Sequence, residues 1–419
     1  MKPIKNLILS ASGIFLLASQ VNAQGSVTVN SNPQVTSTTT VSTVKNGKST
    51  SYSYTVNDVN NSVNVKYGDQ TQDVQDDTPS KAKSFTKSFS VDRNDKVNLS
   101  NQYGTITIKT WDKNEVKVDV EMKAFAKTAD EAQKLIDDLS INATKTGDLV
   151  SFKTEMGDRN GNWGSSVKNG KTIWRREVKV YYTVYMPAQN SLTASQQYGN
   201  ITIGDFVGPT SFKVHYGNLL AGNLTNNNNY ISIQYGKGEV KDMGGAQIKH
   251  QYGNGITLGT ISNTLNLDAQ YTSVKIAAVK GATSIKHQYG NGTTIGSVSG
   301  ALNVNTQYCG IKIGTLHSNL TSKAQYGNVT INEIEAGKDV DVDAQYTAVK
   351  LGFANNYNGD FEVKTSYASF NYGDNVTAKR EGGDDRGYSS TKNYTGQIGK
   401  GGNAKVIVKL QYNSVSFNK

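Results

Sequence analysis

A tyrosine returns every 17 to 21 residues through the second half of the chain, mostly inside Gln-Tyr-Gly or Gln-Tyr-Thr. It stands at Tyr198, Tyr216, Tyr235, Tyr252, Tyr271, Tyr289, Tyr308, Tyr326, Tyr346 and Tyr367. A recurrence at this spacing marks one supersecondary unit that pairs with copies of itself, because a single unit cannot bury its apolar face alone. The fold must therefore place successive tyrosines beside one another.

Strand parity extends the argument. Four positions before the tyrosine stand Ala194, Phe212, Ile231, Ile248, Leu267, Ile285, Val304, Ser322, Val342 and Val363, a column that is apolar except at Ser322. Residues an even number apart share one face of a strand. The tyrosines are thus expected to face inward with this column, as a structural ladder. Apolar pairs return three and five positions later, as in Ile201 and Ile203 or Val349 and Leu351, so a corner separates two strands. Gly199, Gly217, Gly236, Gly253, Gly290 and Gly327 occupy the corner, and Thr272, Cys309, Thr347 and Ala368 replace them elsewhere. A small residue is the shared requirement. The expected fold is an all-β, single-chain parallel β-solenoid (β-helix) with coils of about 18–19 residues.

Three positions before the tyrosine an outward column reads Ser195, Lys213, Ser232, Lys249, Asp268, Lys286, Asn305, Lys323, Asp343, Lys364. Lysines in neighbouring strands repel, and this order separates them with neutral or acidic residues. The alternation makes a pair of coils the more informative repeat.

Other segments frame this region. Residues 1–23 read as a signal peptide: Lys2 and Lys5, an apolar stretch from Leu7 to Leu17, then Val21-Asn22-Ala23. Residues 24–82 are a Ser/Thr/Asn-rich stalk, with alternations such as Ser26-Val27-Thr28-Val29 that suit strands. Residues 83–190 are expected to form an α+β cap leading into the solenoid. Thr128-Ala129-Asp130-Glu131 has capping-box spacing, predicting one helix over 129–139 with Ala132, Leu135, Ile136 and Leu139 on its apolar face. Strands are expected near 149–153 and 177–185. Residues 191–419 carry the repeats, interrupted by a Gly-rich insertion at about 373–402. The final Leu410–Phe417 run repeats the motif without an evident cap, leaving an end able to recruit another molecule.

Composition narrows the chemistry. Cys309 is the only cysteine, which excludes an internal disulfide. Net charge is +10, or +8 without Lys2 and Lys5; this favours anionic partners or simply solubility. Nucleic acid is not expected, since the basic residues are dispersed and the leader directs export. His250 and His287 share a column two coils apart, too far to share one zinc ion, and His215 and His317 lie outside it. Asp339, Asp341 and Asp343, with Glu333 and Glu335, read as a solvated acidic face more readily than a calcium site. Asp384, Asp385 and Arg386 cluster only inside the Gly-rich insertion. No catalytic residue, cofactor or metal site is expected.

The Gln102-Tyr103-Gly104-Thr105-Ile106-Thr107-Ile108 entry, Trp111, the Val116–Val120 alternation, the helix after Thr128 and the Gly-Asn-Ile-Thr-Ile coils occur in a recognisable order. Over about residues 85 to 419 the chain resembles the adhesin-like β-strand-repeat family of Bacteroidota envelope proteins, itself similar to the auto-transporter adhesin head domain. The resemblance implies a β-helical, exported protein with no established catalytic residues. The tyrosine in nearly every coil is more regular than that family's pattern. The expected role is a non-enzymatic envelope or cell-surface scaffold for protein or glycan contacts, in the periplasm, on the outer-membrane surface or secreted, with no membrane-spanning segment after signal removal. A carbohydrate-active β-helix enzyme is the alternative, and a fibre-forming subunit that associates end to end is a third reading.

Overall fold

A computed structural model describes residues 36–45, 48–57, 62–70, 76–157, 163–168, 171–381 and 390–418, with side chains from Asp76 onward. The segments assigned to the leader, Ser26–Val29, and Asp384, Asp385 and Arg386 lie outside the described residues. The chain divides into two units: residues 1–81, 124–133 and 160–177, and residues 82–123, 134–159 and 178–419.

The first unit contains an antiparallel three-stranded sheet of Thr36–Lys45, Lys48–Asn57 and Ser62–Gln70, inside the segment read as a stalk. Alternating Thr, Val and Tyr supply the β-propensity that the segment's low hydrophobicity hides. In the same unit the Arg175 guanidinium lies 3.3 Å from the Phe125 ring centroid and pairs with Asp76 and Glu177.

In the second unit, segments 17 to 20 residues apart pair in parallel and in register. Thr210–His215 pairs with Asn229–Gln234, which pairs with Ala246–Gln251, which pairs with the start of Leu265–Val279. A second ladder follows each corner: Leu219–Ala221 pairs with Lys237–Val240, which pairs with Gly255–Ile261. Each repeat thus supplies two short strands whose apolar residues line the core. The column four before the tyrosine is buried throughout, from Ala194 at 0% exposure to Leu267 at 3%.

The expected open β-solenoid is overturned. The strand pairings from Ser80–Ser90 to Ala404–Asn418 close into a barrel. The tyrosine period reports the offset between paired segments. It carries no information about which distant strand completes the ladder. Two arrangements at the C-terminal end show this. Ala404–Asn418 does not follow the last repeat; it inserts between repeats, pairing with Val340–Gln345 and Ala348–Phe353 on one side and Gly359–Tyr372 on the other. The Gly359–Tyr372 strand pairs antiparallel with Thr391–Ile398, which pairs antiparallel with Val376–Glu381. The Leu410–Phe417 run, expected to be an uncapped end, is therefore interior, and two strands inside the Gly-rich insertion, Val376–Glu381 and Thr391–Ile398, add to the sheet beyond the strand beside it.

At the other end the helix forms over Ala129–Asp137, with the Glu131 amide donating to Thr128 Oγ1 at 3.2 Å. Leu139 is buried, but on the following strand Leu139–Thr146 instead of the helix. The strand read at 149–153 spans Leu149–Met156, and that at 177–185 lies within Lys171–Met186. A buried polar network orders this end. Asn101 donates to Val180 O and Gln196 Oε1, and accepts from Thr154 Oγ1, which also bonds the Tyr182 hydroxyl at 2.9 Å. Asp95, 2% exposed, accepts from Lys145 Nζ at 2.8 Å, and that bond holds its carboxyl below the usual carboxylate range.

Candidate functional site: an exposed tyrosine ladder

Every repeat tyrosine adopts a left-handed backbone, with φ between 50° and 57° from Tyr198 to Tyr367. This one conformation corrects the parity argument. A positive φ turns the side chain away from the face that a regular strand would give it, so the tyrosines point outward while the columns two and four residues earlier point inward. The rings expected to be buried are instead exposed, by 40% at Tyr346 to 63% at Tyr367, with Tyr289 half-buried. The shift from even to odd spacing that suggested a corner is this left-handed residue.

Backbone pairing holds the conformation. The Tyr216 amide donates to the Gln234 carbonyl at 3.0 Å, Tyr235 to Gln251, Tyr252 to Gln270, Tyr308 to Gln325 and Tyr326 to Gln345. The corner that follows leaves no room for a side chain. A Cβ on Gly199, Gly217 or Gly236 would lie 1.6–1.7 Å from a carbonyl oxygen of the preceding repeat. Repeats with Thr or Cys there solve the problem by turning the side chain inward: Thr272 Oγ1 bonds His250 Nδ1 at 2.7 Å and Cys309 Sγ donates to His287 O. A bulky His250 or His287 in the column two before the tyrosine accompanies glycine at its own corner, Gly253 or Gly290. A small Ala269 or Ala344 accompanies Thr272 or Thr347. The exchange is confined to these repeats, since a small, buried Ala324 accompanies Gly327.

The ladder is longer than the sequence spacing suggested. Tyr103 stacks on Tyr198 at 4.9 Å, and Tyr412 inserts between Tyr346 and Tyr367 at 4.5 and 5.2 Å. Both sit in recognisable motifs, Gln102-Tyr103-Gly104 and Gln411-Tyr412-Asn413, but far from the periodic series. From Tyr103 to Tyr367 neighbouring centroids are 4.5–5.4 Å apart with interplanar angles of 2–15°. Ring faces are covered by neighbours, so the ladder offers solvent its edges and hydroxyls. Each non-glycine left-handed residue costs about 1–2 kcal/mol, and a stacked pair returns about 0.5–1.5 kcal/mol. Glycine would avoid the strain altogether.

Two columns flank the rings. Immediately before the tyrosine, glutamine amides bond across repeats: Gln234 to Gln251 at 2.9 Å, Gln288 to Gln307 at 2.9 Å, Gln307 to Gln325 at 3.4 Å and Gln345 to Gln411 at 2.8 Å. Two residues further back runs the charged column. Asp268 lies between Lys249 and Lys286, and Asp343 has Lys323 as one neighbour. On its other side stands Lys409, not Lys364, because the last strand inserts there. Lys213 faces Ser195 and Ser232. Over the C-terminal repeats these columns line a groove of about 700 Å³ that includes Lys286, Lys323, Asp343, Lys364, Lys409 and the neighbouring glutamines.

The remaining chemistry-bearing residues are dispersed. His250 and His287 are fully buried in repeats separated by Ala269. Burial pushes the His250 imidazole down to about 4 and lowers His287 as well. His317 Nδ1 meets Glu335 Oε1 at 2.6 Å, and His215 packs against Tyr216 and Tyr235. Asp339, Asp341 and Asp343 are exposed on one strand face, where Asp339 Oδ1 accepts the Lys405 amide. Burial raises the Cys309 thiol to about 11.

No protein-family model matches the chain, and no curated protein matches its sequence. Solved structures, three of them among nine matching chains, are similar in part. A candidate cell adhesion protein from Clostridium sporogenes is 9% identical, covering 81% of this chain and 99% of its own, with a TM-score of 0.18. A candidate adhesin from Parabacteroides distasonis is 13% identical, covering 64% and 97%, at 0.28. A candidate lipid-binding protein from the same species is 10% identical, covering 80% and 97%, at 0.22.

Proposed function

We propose that the chain is an exported, non-enzymatic, adhesin-like scaffold of the cell envelope or surface, and that the tyrosine–glutamine face is its contact surface. The observation that carries this reading is the exposed ladder itself. Strained left-handed tyrosines recur in every repeat where glycine or asparagine would relieve the backbone, and backbone strain of this kind concentrates where a surface is used. Aromatic side chains with polar tips are enriched at recognition surfaces because they offer large contact area at small entropic cost. Hydroxyls and amides repeating at one strand spacing suit a partner that is itself a polymer, since many weak contacts then add along one rigid surface.

The test keeps the backbone and removes the rings. Asparagine tolerates the left-handed conformation, so the triple variant Tyr271→Asn, Tyr289→Asn, Tyr308→Asn retains the wild-type circular dichroism spectrum. Its retention on a panel of immobilised neutral and acidic polysaccharides is expected to fall roughly tenfold or more from wild type. Unchanged retention by a folded variant would remove the ladder from the contact surface. Release of new reducing ends or unsaturated products from any polymer would replace the scaffold reading with an enzymatic one.

A further inference from the structure

The outward lysine column avoids placing like charges side by side for most of its length, and then abandons the rule in one place. Lys364 and Lys409 occupy directly paired positions of adjacent parallel strands. Adjacent like charges destabilise a sheet, and both lysines are exposed. The ion pairs among the described residues lie elsewhere, as at Lys117–Asp119, Lys145–Asp95 and Lys237–Glu239. The same two lysines line the groove of about 700 Å³, together with Lys286 and Lys323 and with one acidic residue, Asp343. The groove is therefore basic, runs across several repeats, and is floored by glutamine amides beside the tyrosine edges.

We propose that this groove binds a linear acidic polysaccharide, with carboxylate or sulfate groups placed between Lys364 and Lys409 and reaching Lys323 and Lys286. The inference rests on the ladder face being a contact surface and adds the class of its partner. Charge complementarity selects a polyanion. The glutamine and tyrosine columns select one rich in hydroxyls, because amides and phenols exchange hydrogen bonds with sugar hydroxyls at every repeat. An extended pyranose chain advances by close to one strand separation per sugar, so successive sugars meet equivalent groups. Single-stranded nucleic acid would need open aromatic faces on which to stack its bases, and those faces are covered within the ladder. An acidic peptide strand adds to a sheet edge, whereas the groove lies on a sheet face.

Calorimetric titration of the full chain with polygalacturonate, and with pullulan as a neutral polymer, tests this. Polygalacturonate is expected to bind and to weaken as salt rises, since exposed charge pairs are screened. The double variant Lys364→Gln/Lys409→Gln should bind it roughly tenfold more weakly, while Lys237→Gln, outside the groove, should bind as wild type does. Equal affinity of the double variant would overturn the proposal. So would tighter binding of single-stranded DNA or polyglutamate, or no binding of any polymer. Equal binding of pullulan, lost in the tyrosine triple variant, would also overturn it while leaving the ladder as the contact surface.

Discussion

Gly217→Ala is expected to destabilise the second unit by about 3 kcal/mol or more, at the upper end of overpacking effects. The added Cβ would lie 1.7 Å from the carbonyl oxygen of Gly199, 2.5 Å from its carbon and 3.1 Å from its nitrogen. All three are backbone atoms, so no rotamer change relieves the clash; the strands must part. Parting them lengthens the bonds that join the two repeats, such as the Ile201 amide to the Asn218 carbonyl at 2.9 Å. Gly204→Ala is the matched control, since a Cβ there meets nothing within 4 Å. Urea midpoints compared with wild type check both. Near-neutral behaviour of Gly217→Ala would mean the repeats pack more loosely at the corner than described.

Acid is expected to weaken the fold before the carboxylates titrate. The His250 imidazole has 0% exposure, and burial holds it down to about 4 from an ordinary value of 6.5. His287, also fully buried, is lowered for the same reason. A folded value below the unfolded one means that the unfolded chain binds the proton more tightly. The stabilisation is then complete above pH 6.5 and is lost as pH falls from 6.5 toward 4. Between pH 6.5 and 5 the loss from His250 is on the order of 2 kcal/mol. Urea midpoints at pH 7.5 and 5 should differ accordingly, and His250→Gln should shrink the difference to the share that His287 carries. A wild-type midpoint constant across that window would mean that the imidazole gains a proton without disturbing the core.

Much of the second unit was legible because its register is written in residue spacing. The column from Ala194 to Val363 identified the core correctly, since a strand face is set by parity and every member lies on the same side of the tyrosine. The tyrosine lay one step past the limit of that argument. A single left-handed residue reverses parity, and nothing in Gln-Tyr-Gly announces that the tyrosine, not the glycine, takes the positive φ. The glycine is there for proximity to the neighbouring repeat's carbonyl, which is a tertiary requirement. Closure of the barrel was equally hidden. Tyr412 and Lys409 follow Tyr367 in sequence but precede it in the ladder, because a strand inserts where its hydrogen-bonding edges are best satisfied, not where chain order places it. Asp343 and Lys364 look like neighbours in the sequence for that reason, and the Lys364–Lys409 pair in the groove is not legible there. The helix start at Thr128 was legible because its cause is local: the Thr128 hydroxyl accepts the Glu131 amide.

Contact through the ladder requires above all that the tyrosine rings face outward as a usable surface. Limited nitration of the folded protein, with modified residues located by peptide mapping, measures this directly. Modification is expected at exposed ladder tyrosines such as Tyr271, Tyr308 and Tyr367, with buried Tyr182 and Tyr357 spared, and the ladder is expected to be protected when a binding polysaccharide is present. Ladder tyrosines as unreactive as Tyr182 would contradict this exposure.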